Sequence, residues 1–146
     1  MRHDRANRRA IRRAVLAAAA AGAALALAGC FDVRSPDLFL LTRTGQGRTL
    51  TLLINDGGTI RCNGGKAKPV SNTTLIAARD LADDLADDAQ SKLTIPNEPG
   101  SVYYFRVRMQ QGSVAFPDRA ASRRKVLART ELFAAQTAQR DCGLTG

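Results

Sequence analysis

Ala14 to Ala28 is an unbroken run without a charged or strongly polar side chain, and the thirteen residues ahead of it, MRHDRANRRAIRR, hold six arginines. No other feature of the 146-residue chain limits its fold as much, because it decides which residues are left to build one. A membrane-spanning helix needs about 20 apolar residues to cross roughly 30 Å of hydrocarbon. This run is shorter and mostly alanine, which makes a stable span the weaker reading. A basic n-region followed by a short apolar h-region is instead the pattern of a cleaved export signal. The arginines stay on the cytoplasmic side during insertion, so the residues that follow are directed outward. Arg8-Arg9 and Arg12-Arg13 leave both unfolded export and twin-arginine export open.

The run closes on Leu27-Ala28-Gly29-Cys30. Basic start, short apolar run and L-A-G-C, in that order and spacing, resemble the signal of bacterial lipobox prolipoproteins. The resemblance implies a diacylglyceryl group on the Cys30 thiol, cleavage after Gly29 and a mature protein beginning at Cys30. Each buried methylene contributes about 0.8 kcal/mol, and two or more long chains hold a protein on a bilayer where a single one does not. The expected organisation is a signal peptide over 1–29, a short tether over 30–36 and one domain over 37–146. Fully extended, that tether reaches roughly 20 Å. The expected location is the outer face of the cell membrane, with membrane lipid as the partner held through acylated Cys30.

The formal charge of +9 suggests nucleic acid until its distribution is considered. Residues 1–29 hold six basic side chains and one acidic, leaving sixteen basic and twelve acidic in 30–146, a net of +4. The exported part has no tryptophan, two tyrosines and no basic stripe interleaved with aromatics. Nucleic-acid binding is therefore not expected.

Two apolar, β-branched runs, Leu38 to Arg43 and Thr49 to Asn55, flank a glycine-containing connection and read as a hairpin. Asp56-Gly57 is a tight-turn signal that returns the chain as a third strand over 59–62. The glycines at 64 and 65 do not make a phosphate loop. Gly65-Lys66 would need glycine at position 60, where Ile60 stands, and a hydroxyl residue after the lysine. Ser71 or Asn72 caps a helix running to about Gln90, with Leu75, Ala78, Leu81, Ala82, Leu85, Ala86 and Ala89 on one arc. Tyr103, Phe105, Val107 and Met109 alternate with polar residues in a half-buried strand. A further strand over 113–116 leads to a last helix on which Val126, Leu127, Thr130, Phe133, Ala134 and Thr137 share a face. The expected fold is α+β, a small antiparallel sheet in the order βββαββα with two helices packed on one face.

With Cys30 carrying lipid, Cys62 and Cys142 remain, and an exported pair is expected as a disulfide. Asp80, Asp83, Asp84, Asp87 and Asp88 fall on the helix arc opposite the leucines. They form a possible acidic interaction face, for the basic cluster Arg123-Arg124-Lys125 or for an external basic protein. Carboxylates on a convex face diverge, whereas calcium needs six to eight converging oxygens, so no metal site is expected there.

The single histidine, His3, lies in the signal. The mature chain thus has no imidazole for Ser-His-Asp or Cys-His chemistry or for zinc. Glu98 and Glu131 have no evident carboxylate partner. No catalytic residues and no cofactor are expected, and the chain reads as a non-enzyme. DLFLLTRTG, LLINDGGTIRCNGG, VAFPD and ELFAAQ resemble recurrent pieces of uncharacterised small actinobacterial lipoproteins, a resemblance that implies no activity. The function expected is a non-enzymatic binding or structural module at the cell envelope, its protein partner unknown. The alternative is protease inhibition. The layout is similar to emfourin-like and subtilisin-inhibitor-like inhibitors, which place a loop on a compact α+β core, and Ser91 to Ser101 would supply that loop.

Overall fold

In a computed structural model describing residues 33–144, the chain builds one six-stranded antiparallel sheet and packs helices against it. The strands are β1 (Asp37–Gly45), β2 (Arg48–Asn55), β3 (Thr59–Cys62), β4 (Lys68–Pro69), β5 (Tyr104–Met109) and β6 (Gly112–Pro117). Helix α1 (Asn72–Gln90) joins β4 to β5, and α2 (Asp118–Ala121) and α3 (Lys125–Arg140) follow β6. The spatial order is β4-β3-β2-β1-β5-β6. β1 therefore lies between its hairpin partner β2 and the distant β5, with Leu41 opposite both Leu52 and Val107.

Strand alternation sends Phe39, Leu41, Leu52, Ile54, Ile60, Val107, Val114 and Phe116 to one side, where all are fully buried. α1 meets them with Ala78, Leu81, Leu85 and Ala89, and α3 with Leu127, Phe133 and Ala134. The Phe39 and Phe133 rings meet edge to face at 5.8 Å, tying α3 to the central strand, and Phe105 stacks on Phe116 at 5.3 Å. α1 starts where its sequence signals: Ser71 is the N-cap, its Oγ accepting the Thr74 N–H at 3.1 Å. β6 begins under the end of this helix. A Cβ on Gly112 would lie 2.0 Å from the Ala89 carbonyl oxygen, so only glycine fits that approach.

Two short elements extend the expected order βββαββα. β4 continues the sheet beyond Asn63-Gly64-Gly65, pairing Lys68 with Ile60 and Pro69 with Thr59. A two-residue edge strand containing proline has no alternation to read. α2 is a single turn, too short for a helical period. The expected tether over 30–36 is also shortened. Val33 is buried, the Arg34 carbonyl accepts the Asp37 N–H at 2.6 Å, and the Pro36 carbonyl accepts the Asp56 N–H at 2.8 Å. The compact unit begins at Val33, leaving two residues, Phe31 and Asp32, between Cys30 and it, so the three Cα–Cα steps from Cys30 reach at most about 10 Å.

Candidate functional site

Leu27, Ala28, Gly29 and Cys30 lie outside the described residues. Cys62 and Cys142 form the disulfide expected of them, with Cα atoms 5.9 Å apart and a sequence separation of 80. The bond joins the end of β3 to the chain just past α3, two elements that no backbone ladder connects.

The acidic arc of α1 is only partly a surface. Asp88 receives both oxygens' bonds from Arg124, at 2.8 and 3.0 Å, and Asp84 pairs with Arg129. Two of the five carboxylates thus bind α1 to α3, and Arg124 belongs to the basic cluster that the sequence offered as partner. Arg129 had no such signal, because helix periodicity does not say which helices become neighbours. Asp80, Asp83 and Asp87 stay exposed, without an ion-pair partner among the described residues.

The segment Ser91 to Ser101 is fastened at residues 93–95 and at Glu98. The Ile95 N–H donates to the Ala115 carbonyl and the Ala115 N–H to the Leu93 carbonyl, so residues 93–95 run beside the β6 edge. The Tyr104 hydroxyl donates to the Ile95 carbonyl at 3.0 Å, and Glu98 pairs with Arg123. Pro96, Asn97, Pro99 and Gly100 of the same segment remain exposed.

Two surface features stand out. The first is a cleft of about 370 Å³ between the β1–β2 turn and the end of α3. Arg43, Arg48, Gln46, Asn63 and Gln139 surround a floor that includes Leu50, Ala135 and Ala138. The Arg43 guanidinium lies 4.7 Å over the Tyr103 ring, whose hydroxyl donates to Gln46 Oε1 at 3.1 Å. The second is the sheet side turned away from the helices. Its cross-strand rows are Thr59–Asn55–Asp37, Arg61–Leu53–Leu40–Arg108–Ser113, Thr51–Thr42–Arg106–Ala115 and Thr49–Thr44–Tyr104. Thr42, Thr44, Tyr104, Arg106 and Arg108 bound a depression of about 310 Å³ on it. Neither the cleft nor this depression is lined by a carboxylate, a cysteine or a histidine.

The titratable groups with displaced pKa values lie elsewhere. Burial pushes the Asp118 carboxyl up, but the Val102, Tyr103 and Arg119 N–H groups donate to it, and together they hold it below its usual 3.8. The buried Ser101 hydroxyl also favours the anion, although it falls short of hydrogen-bond geometry. Glu131 is pushed above its usual 4.5, first by burial and then by the Asp118 charge, and its Oε1 is buried without a partner. The two carboxyls therefore oppose each other in linkage. Asp118 stabilises the fold above 3.8, and this is lost as pH falls through its lowered value. Glu131 carries no penalty below 4.5 and an increasing one as pH rises through its raised value. Glu131→Gln is expected to raise Tm by a few degrees at about pH 7, with the gain gone by about pH 4, which thermal unfolding across that range checks. No local pattern signals this pair, because its members meet through tertiary packing.

Among the described residues no helix is long and apolar enough to cross a membrane, and no three His, Cys, Asp or Glu side chains are grouped to hold a metal ion. No protein-family model, curated protein or solved structure matches the chain.

Proposed function

We propose that the chain is an exported lipoprotein, held on the outer face of the cell membrane through acylated Cys30, whose folded part is a non-enzymatic binding or structural module. The cysteine arrangement carries this reading. Cys62 and Cys142 are joined, which suits an oxidising compartment and leaves Cys30 as the one cysteine of the three outside that bond. That cysteine ends Leu-Ala-Gly-Cys and stands three positions before Val33, the first buried side chain among the described residues. A fold starting so close to the acylation position has no stalk, so its partners are at the membrane surface. The cleft and the open sheet face offer arginines, amides and hydroxyls, which bind and position, and neither presents a nucleophile beside a base.

Replacing the anchor tests the reading. Cys30→Ala is expected to take up no labelled palmitate and to accumulate as the uncleaved chain, because both acylation and cleavage depend on that thiol. Processing and labelling equal to the parent protein would refute it.

A further inference from the structure

The strands on the side of the sheet turned away from the helices carry three arginines and one carboxylate, Asp37 at the start of β1. The Asn55 amide donates to the Asp37 carboxylate at 3.1 Å, and beyond that row the segments Leu40–Thr44, Thr49–Leu53, Tyr104–Arg108 and Ser113–Ala115 lack an acidic residue. Arg61 and Arg106 are exposed on this side, with no ion pair to another described residue, and Arg108 lies in the same row as Arg61. Threonine hydroxyls separate the arginines, so the face mixes guanidinium and hydroxyl donors, the two groups that hold phosphate oxygens. The helix side is different. There Asp84 and Asp88 neutralise Arg129 and Arg124, and Asp80, Asp83 and Asp87 point outward, away from the sheet that α1 covers. The domain is therefore basic on the sheet side and mixed to acidic on the other.

We infer that this sheet face docks on the anionic phospholipid headgroups of the leaflet holding Cys30. The inference rests on the lipoprotein reading, which places the body of the fold within about 10 Å of the acylated residue. At that distance the domain is inside the roughly 10 Å over which an anionic surface attracts basic side chains in 0.1 M salt. Docking by this face brings arginines to phosphate and keeps Asp80, Asp83 and Asp87 on the side away from the lipid. The row with Arg61 and Arg108 follows the Asp37–Asn55–Thr59 row at the start of β1.

The test uses the mature protein purified from membranes and reconstituted in vesicles of phosphatidylcholine alone or mixed with phosphatidylglycerol. Phenylglyoxal modification is followed at each arginine by mass spectrometry. Each arginine at an anionic surface gains a factor of about five. Arg61 and Arg106 are thus expected to react about fivefold more slowly in the mixed vesicles, with Arg140 on α3 unchanged. The protection should vanish in concentrated salt, where the screening length falls to about 3 Å. Equal rates in both vesicles would overturn the inference. Equal protection by inorganic phosphate in phosphatidylcholine vesicles would also overturn it, assigning the face to a soluble anion. The mass of the Cys30 peptide from the same preparation separates the two proposals. If it carries no acyl chain the lipoprotein reading fails, and the same protein added to the two kinds of vesicle still decides the face by lipid-dependent protection of Arg61 and Arg106.

Discussion

Replacing Cys62 and Cys142 by alanine is expected to lower the unfolding free energy by about 4 kcal/mol. The bond closes a loop of 80 residues, so it removes more loop-closure entropy from the unfolded chain than a local bridge would. Domains of this size retain only about 5–15 kcal/mol in total, so the loss is a large share. At about 4–8 °C for each kcal/mol, Tm should fall by some 15–30 °C, which calorimetry of the double variant measures directly. The bond also holds the end of α3 against β3, which a loss of hydrogen-exchange protection in the last turn of α3 would reveal. A change in Tm of only a few degrees would mean that packing between Phe133 and Phe39 already fixes that helix.

Phe39→Ala is the second large effect. Phe39 is fully buried on β1, the strand paired on both sides, and its ring meets Phe133 at 5.8 Å. Truncating such a ring removes its burial and leaves a cavity between rigid elements, which typically costs about 3–5 kcal/mol. Val102→Ala provides the contrast, since Val102 is 47 % exposed and its loss should change stability by no more than about 0.5 kcal/mol. Denaturant midpoints with unchanged slopes would assign both results to the native state.

The parts of the fold that were legible in the sequence are those in which one local pattern repeats. α1 shows itself because the aspartates and the leucine-alanine arc separate cleanly at 100° per residue, and its start because Ser71 is a capping residue. β5 is readable from the alternation of Phe105, Val107 and Met109. The disulfide follows from assigning Cys30 elsewhere and leaving two cysteines. What was not legible depends on packing between distant segments. Nothing local places β5 beside β1, sets Leu41 opposite Val107 or brings Arg129 to Asp84. Lys68–Pro69 and Asp118–Ala121 are shorter than the periods that would identify them. Val33 sits in a stretch with no period, so its burial was invisible. The basic sheet face was hidden for a related reason: Arg61, Arg106 and Arg108 are scattered in sequence and become neighbours only through the register of β3, β2, β1 and β5.

The most direct test of the anchored, exported domain is the intact mass and N-terminal peptide of the protein recovered from membranes under non-reducing conditions. The expected mature chain begins at Cys30 with acyl groups on that residue and has Cys62 linked to Cys142. A chain that retains Met1 to Gly29 and carries an unmodified Cys30 thiol would contradict it.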